Sequence, residues 1–149
     1  MQSQNIGKSK EDYLEAILMQ IDKNGACRVT DVANQLGFSK PSVSVALKKL
    51  EDDGYIEKRD WRVVLTEKGE AIARRMLDKH HTFYKLFVHM GIDDVVAEHE
   101  ACQVEHIISD DSFARIVAYL TEAAPELLQK HEGLLVSIMG FKFCWKGIS

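Results

Sequence analysis

Two short amphipathic stretches meet at a single glycine, and no other feature restricts the fold of this chain so tightly. Thr30 opens the first stretch, Val32, Ala33 and Leu36 form its inner side, and Gly37 ends it. Ser39 caps the second, with Pro41 in its first turn, where a missing N–H costs nothing. Val43, Leu47 and Leu50 recur there at helical spacing until Gly54. A short helix, a glycine turn and a Ser/Pro-opened helix make the layout of a helix-turn-helix. Tyr55-Ile56-Glu57-Lys58-Arg59, a turn near Asp60-Trp61, and Arg62-Val63-Val64-Leu65 then predict a two-stranded hairpin, the wing.

Around this centre the pattern is helical. Ser9 with Asp12 three residues on makes a capping-box signal, and Leu14, Ile17, Leu18 and Ile21 follow until Asn24-Gly25. Thr66 caps a long helix to about Met90, with Ile72, Met76, Phe83 and Phe87 on its buried side. A fifth helix is expected over about Asp94 to Ile108. A sixth starts near Asp110-Asp111 and carries Phe113, Ile116, Val117 and Leu120, and the tail after Pro125 reads as helical through Leu135. The expected fold is mainly α: a winged helix-turn-helix over residues 1–70, then an all-helical domain over 71–149.

With 46% hydrophobic and 28% charged residues, the 149-residue chain can bury a core, which excludes wholesale disorder. Met1-Gln2-Ser3-Gln4-Asn5 lacks the basic and apolar regions of a signal peptide. The longest apolar run, Leu134 to Phe141, is broken by Ser137 and Gly140 and falls short of the ~18 residues needed to cross a bilayer. A cytoplasmic protein with no membrane partner is therefore expected, its three cysteines reduced thiols.

The outward residues of the third helix are Ser39, Lys40, Ser42, Ser44, Val45, Lys48 and Lys49, with Pro41 beside them. Small hydroxyls and lysines suit phosphates and base edges, and Val45 suits a thymine methyl. Lys58, Arg59 and Arg62 cluster at the wing tip, fit for the DNA backbone or minor groove. Lysines alone would read as a solvated face; the helix-turn-helix and wing together favour double-stranded DNA. The net charge of −4 does not oppose this. Ten basic and ten acidic residues balance up to Leu65, and nine basic against thirteen acidic beyond it leave the whole excess outside the DNA-facing part.

A second constellation lies in Glu98-His99-Glu100-Ala101-Cys102-Gln103-Val104-Glu105-His106. At about 100° per residue, Glu98, Cys102, Glu105 and His106 share one helix face, with Ala97, Ala101, Val104 and Ile108 opposite. A thiolate, a carboxylate and an imidazole at such spacing can converge on one cation. Asp12 and Glu15 sit one turn apart on the first helix, and His80 lies midway along the long one. These three could complete a near-octahedral shell, or Asp12 could cap its helix, Glu15 be solvated and His80 be a core histidine.

The chain resembles the diphtheria-toxin-repressor family of metal-dependent repressors, including its manganese-regulator branch. Ser9-Lys10-Glu11-Asp12-Tyr13-Leu14-Glu15-Ala16-Ile17 is similar to the family's opening helix, and Ser39-Lys40-Pro41-Ser42-Val43-Ser44 to the start of its recognition helix. Leu65-Thr66-Glu67-Lys68-Gly69 follows the wing as in the family, and Glu100-Ala101-Cys102-Gln103-Val104-Glu105-His106 is similar to its metal motif. The resemblance spans roughly the first 120 residues and implies a homodimer held by the helical domain. It matches Asp12 and Glu15 to carboxylate ligands of the manganese branch, and His80, Glu105 and His106 to ligands shared across the family. Cys102 matches the iron branch, where the manganese branch has Glu. For a second metal, Glu98 and Tyr84 stand at the family's ligand positions with His99 adjacent, and Tyr84 breaks that pattern.

Oxygen ligands suit manganese(II), while a thiolate draws the preference towards iron(II). Iron(II) is the first expectation and manganese(II) the second. The implied function is a metal-dependent repressor that binds a palindromic operator and controls metal-uptake genes. The main alternative is a metal-independent winged-helix regulator with Cys102 as redox sensor. No HExxH, nucleophile elbow or Gly-rich phosphate loop points to an enzyme.

Overall fold

The computed structural model describes residues 6–128, which fall into two compact units, Ile6–Leu77 and the segment from Asp78 onward. In the first unit, α1 (Lys8–Asn24), α2 (Val29–Leu36) and α3 (Lys40–Asp52) pack on one another. The strands β1 (Ile56–Arg59) and β2 (Arg62–Leu65) follow, and α4 (Glu67–His89) begins. The strands pair antiparallel from Ile56↔Leu65 to Arg59↔Arg62. The shared core holds Leu14, Ile17, Val32, Val43, Leu47 and Val63, each at or below 1% exposure. At about 2 kcal/mol per large apolar side chain, this burial offsets the entropy of ordering a small unit.

The hairpin is anchored on both sides. The Val63 N–H donates to Cys27 O at 2.8 Å, so β2 bridges to the segment just before α2, next to its N-cap Arg28. Thr66 Oγ1 donates to Gly54 O at 2.7 Å and accepts from the Gly69 N–H at 3.2 Å, which caps α4 as the sequence predicts. Gly69 is there because nothing larger fits: a Cβ would stand 2.0 Å from the Tyr55 carbonyl oxygen.

Two helix starts differ from expectation. α1 begins at Lys8 behind Gly7 with no side-chain cap, so neither Ser9 nor Asp12 caps it; Asp12 accepts from Lys8 Nζ at 2.8 Å instead. α2 begins one residue before Thr30, and the Asp31 carboxylate accepts the Arg28 N–H at 2.9 Å in the capping role expected of Thr30. In α3, Ser39 Oγ accepts from the Ser42 N–H at 3.3 Å, as predicted.

The second unit contains the rest of α4, α5 (Asp94–Ile107), α6 (Asp110–Ala123) and a 3-10 turn at Pro125–Leu128. Phe83 lies 6.0 Å from Phe87 and 6.1 Å from Phe113, ring to ring, tying α4 to α6. The buried Lys79 ammonium donates to Ile108 O and pairs with Asp110 Oδ1, both at 2.9 Å, fixing the α5–α6 corner to α4. The α-helix expected after Pro125 is a 3-10 turn as far as Leu128, and its remainder to Leu135 lies outside the described residues. Among the described residues, no helix is long and apolar enough to cross a membrane.

Candidate metal centre

α5 presents Glu98, Cys102 and Glu105 on one stripe, and α4 sets His80 against it. All four are buried, together with Ala97 and Ala101. Helical spacing alone predicts the two alanines on a face opposite the ligands. The small alanines instead let the helix sit deep enough to bury the polar stripe beside them. Val104 and Ile108, expected on the apolar side, are half-buried, and Ile107 is 82% exposed.

His80 is held by two carboxylates. Its Nδ1 lies 2.8 Å from Glu105 Oε2 and its Nε2 2.9 Å from Glu98 Oε1. A carboxylate only accepts, so both contacts are hydrogen bonds only when the ring carries both protons. Burial alone would lower the imidazole pKa, but the hydrogen bonds and charges of Glu105 and Glu98 outweigh it and raise it to about 9. His106 Nε2 stands 3.2 Å from the other Glu105 oxygen, so Glu105 lies between two imidazoles.

One ligand atom each from His80, Cys102 and Glu105 fall within 4.8 Å of one another. Ligands on opposite sides of one transition-metal ion stand about 4.6 Å apart, twice a bond length of about 2.3 Å. Donors this close could share one ion, and the nitrogen-oxygen-sulfur set suits iron(II) or zinc(II) better than calcium. Binding would displace a proton from His80 and leave its other nitrogen to donate to a carboxylate, the usual outer support of a metal-bound histidine.

The expectation of three reduced thiols needs correction at Cys102, which is disulfide-bonded. A disulfide sulfur is no thiolate ligand, so ligation by Cys102 belongs to the reduced chain. Cys27 is free and buried, and burial, with Asp31 nearby, pushes its thiol up to about 12, which makes it unreactive.

Of the other candidates, Asp12 and Glu15 are buried one turn apart on α1. His99 is exposed and stays outside the cluster. Tyr84 lies near Asp94 and Glu98; partial burial first, then those carboxylates, raise its phenol.

The face of α3 is arranged as its spacing predicts. Val43, Leu47 and Leu50 are buried, while Ser39, Lys40, Pro41, Ser42, Ser44, Val45, Lys48 and Lys49 are exposed. Two basic groups are less free than the sequence suggests: Lys48 pairs with Asp52 at 2.8 Å, and Arg59 with Glu57 at 2.9 Å. Lys58 and Arg62 are exposed on the hairpin. Arg28, which no sequence motif marks, joins this face because the Cys27–Val63 bridge places it beside the wing.

Comparison with known proteins follows the same division. Residues 5–62 match the family model described as iron dependent repressor, N-terminal DNA binding domain, and residues 66–126 the model for its metal binding and dimerisation domain. The chain is 35% identical over 119 residues to an uncharacterized HTH-type transcriptional regulator of Methanocaldococcus jannaschii, covering 77% of this chain and 94% of that one. It is 34% identical over 109 residues to the HTH-type transcriptional regulator MntR of Bacillus subtilis, covering 72% and 77%. Among solved structures it is similar to a manganese-dependent transcriptional repressor in complex with manganese, at TM-score 0.67 and 27% identity over 75% of this chain. It is also similar to T. acidophilum IdeR, at TM-score 0.65 and 26% identity over 74%. The chain spans about half the length of these two, 52% of the first and 53% of the second.

Proposed function

Because this chain belongs to the iron-dependent, or diphtheria-toxin, repressor family, on the side of its manganese regulators, we propose that it senses intracellular iron(II) or manganese(II) and represses metal-uptake genes from a palindromic operator. It is a metal-dependent transcriptional repressor and not an enzyme. The observation that carries the metal assignment is the buried cluster of His80, Glu105 and Cys102, within 4.8 Å of one another, in which Cys102 becomes a donor once reduced.

In this proposal His106 joins that set, and Asp12 and Glu15, matched by position to carboxylate ligands of the manganese branch, complete the shell. A divalent cation there supplies the positive charge that the His80 proton supplies otherwise. Asp12 and Glu15 belong to the DNA-binding half and the other ligands to the helical half, so ligation sets the relation between the halves. In a two-fold dimer that relation fixes the spacing of the recognition helices against half-sites about 34 Å apart. The apolar Val88, Met90, Val95 and Val96, exposed at the end of α4 and the start of α5, support a homodimer, as does the match to a dimerisation domain. Ser39, Lys40, Pro41, Ser42, Ser44, Val45 and Lys48, with Lys58, Arg59 and Arg62 of the wing, are assigned to DNA.

The test is anaerobic fluorescence anisotropy on the promoter of the protein's own gene, with reductant present and salt fixed. Binding should be tight only with iron(II) or manganese(II) and lost in His106→Ala. Equal binding with and without metal would remove the metal switch. The disulfide at Cys102 favours one second reading, a regulator released by thiol oxidation; under it, reductant and not metal would govern DNA affinity.

A further inference from the structure

Trp61 stands at the tip of the wing, 56% exposed, an unusual position for the most apolar large ring. Asp60 before it adopts φ 57, a left-handed conformation that aspartate tolerates, and turns the chain so that the indole leaves the hairpin. Two guanidinium groups lie over its ring: Arg28 at 4.4 Å from the centroid and Arg62 at 5.4 Å, both within cation–π range. They arrive from different elements. Arg28 is the residue before α2, and Arg62 opens β2, brought together by the Cys27–Val63 bridge.

Stacking differs from ion pairing in what it consumes. A carboxylate takes up the N–H edge of a guanidinium, as Glu57 does with Arg59. An aromatic ring takes only its flat face and leaves the N–H fork open. Among the described residues, no carboxylate pairs with either Arg28 or Arg62. Both are held in place with their donors unspent, which is what bidentate capture of a phosphate requires.

We propose that Trp61 is a positioning residue that holds Arg28 and Arg62 as a pair of phosphate-binding prongs, joining the wing and the foot of α2 into one contact with the DNA backbone. This rests on the reading that the winged helix binds DNA. Trp61 itself carries no charge and no sequence preference; it lowers the entropy lost when two long side chains are fixed on phosphates. Phosphate contacts hold the protein in register and read no bases. A random-sequence duplex therefore suffices as the probe.

The experiment measures binding of the metal-loaded full chain to a random-sequence duplex of about three helical turns, titrated over salt. Arg28→Ala and Arg62→Ala should each flatten the log–log salt slope by about 0.9 per bound protomer. Trp61→Ala should weaken binding about two- to five-fold, and Trp61→Phe should restore most of the loss. In the Arg28→Ala/Arg62→Ala background, Trp61→Ala should cost nothing more. An unchanged slope in either arginine variant overturns the paired assignment. An equal Trp61→Ala loss without the arginines overturns it too, because the indole would then be touching DNA itself. If the unmodified protein binds no duplex in any salt, the DNA-binding reading falls first and this inference with it. Trp61 is largely exposed, so its variants should melt with the parent, and a thermal scan checks that the comparison is between folded proteins.

Discussion

Helices α3 and α5 are of nearly equal length, 13 and 14 residues, and sort their side chains in opposite ways. α3 buries Val43, Leu47 and Leu50 and exposes its serines and lysines. α5 buries Glu98, Cys102 and Glu105, while Val95, Val96 and Ile107 face outward. The first arrangement pays its own way through the hydrophobic effect. The second costs desolvation at every carboxylate and persists only with compensating charge, here His80 and, on the proposal, a cation. A helix that reads its partner from outside can keep ordinary amphipathicity; one that encloses its ligand must bury polar groups.

The largest effect that would sharpen this contrast is expected from Glu105→Ala. It removes a proposed ligand and the partner of His80, so metal affinity should fall about 100-fold or more by calorimetry. The metal-free protein should lose about 3 kcal/mol in urea unfolding. Val45→Ala, its counterpart on α3, should leave urea stability unchanged, since Val45 is exposed. A Glu105→Ala protein as stable as its parent would break the comparison.

His80 gives the contrast a pH signature. Its pKa is raised in the folded state from 6.5 to about 9. Its stabilising contribution is therefore complete below pH 6.5 and lost as the pH climbs through 9, roughly 3 kcal/mol in the metal-free protein. Metal competes with that proton, so metal affinity should rise about tenfold per pH unit across the same window and level off above it. A flat affinity between pH 6.5 and 8.5 would mean that His80 releases no proton on binding.

Gly69→Ala probes the winged half, where close packing and not charge is at stake. The new methyl would meet the Tyr55 carbonyl, and a loss of about 2–3 kcal/mol is expected in thermal unfolding. Lys79→Ala should cost about 2 kcal/mol by leaving the Ile108 carbonyl short of a donor at the α5–α6 corner. The smallest effect is expected from Asp60→Gly, about 0.5 kcal/mol or less in either direction, because the turn already holds a positive φ.

The same contrast explains how much the sequence reveals. The winged half is legible because its inner stripes, capping Ser39 and Thr66 and the hairpin register all follow from local spacing. Its misread starts, at Ser9 and Thr30, arise where Gly7 or the Asp31 carboxylate serves in place of the expected hydroxyl. In α5 the spacing correctly groups Glu98, Cys102 and Glu105, but periodicity carries no sign for which face is inside. That sign depends on His80, 25 residues before Glu105, and on the room made by Ala97 and Ala101. Arg28 is invisible to pattern for a related reason: its place beside Trp61 depends on a single backbone bridge between Cys27 and Val63.

On the proposed function, metal and DNA binding are coupled through the His80–Glu105 centre, and linkage makes that coupling reciprocal. The direct measurement is anaerobic calorimetry of iron(II) or manganese(II) binding, with reductant, to the free protein and to the protein mixed with its promoter duplex. DNA should tighten metal binding by the same factor by which metal tightens DNA binding. Identical metal affinity with and without the duplex would contradict it.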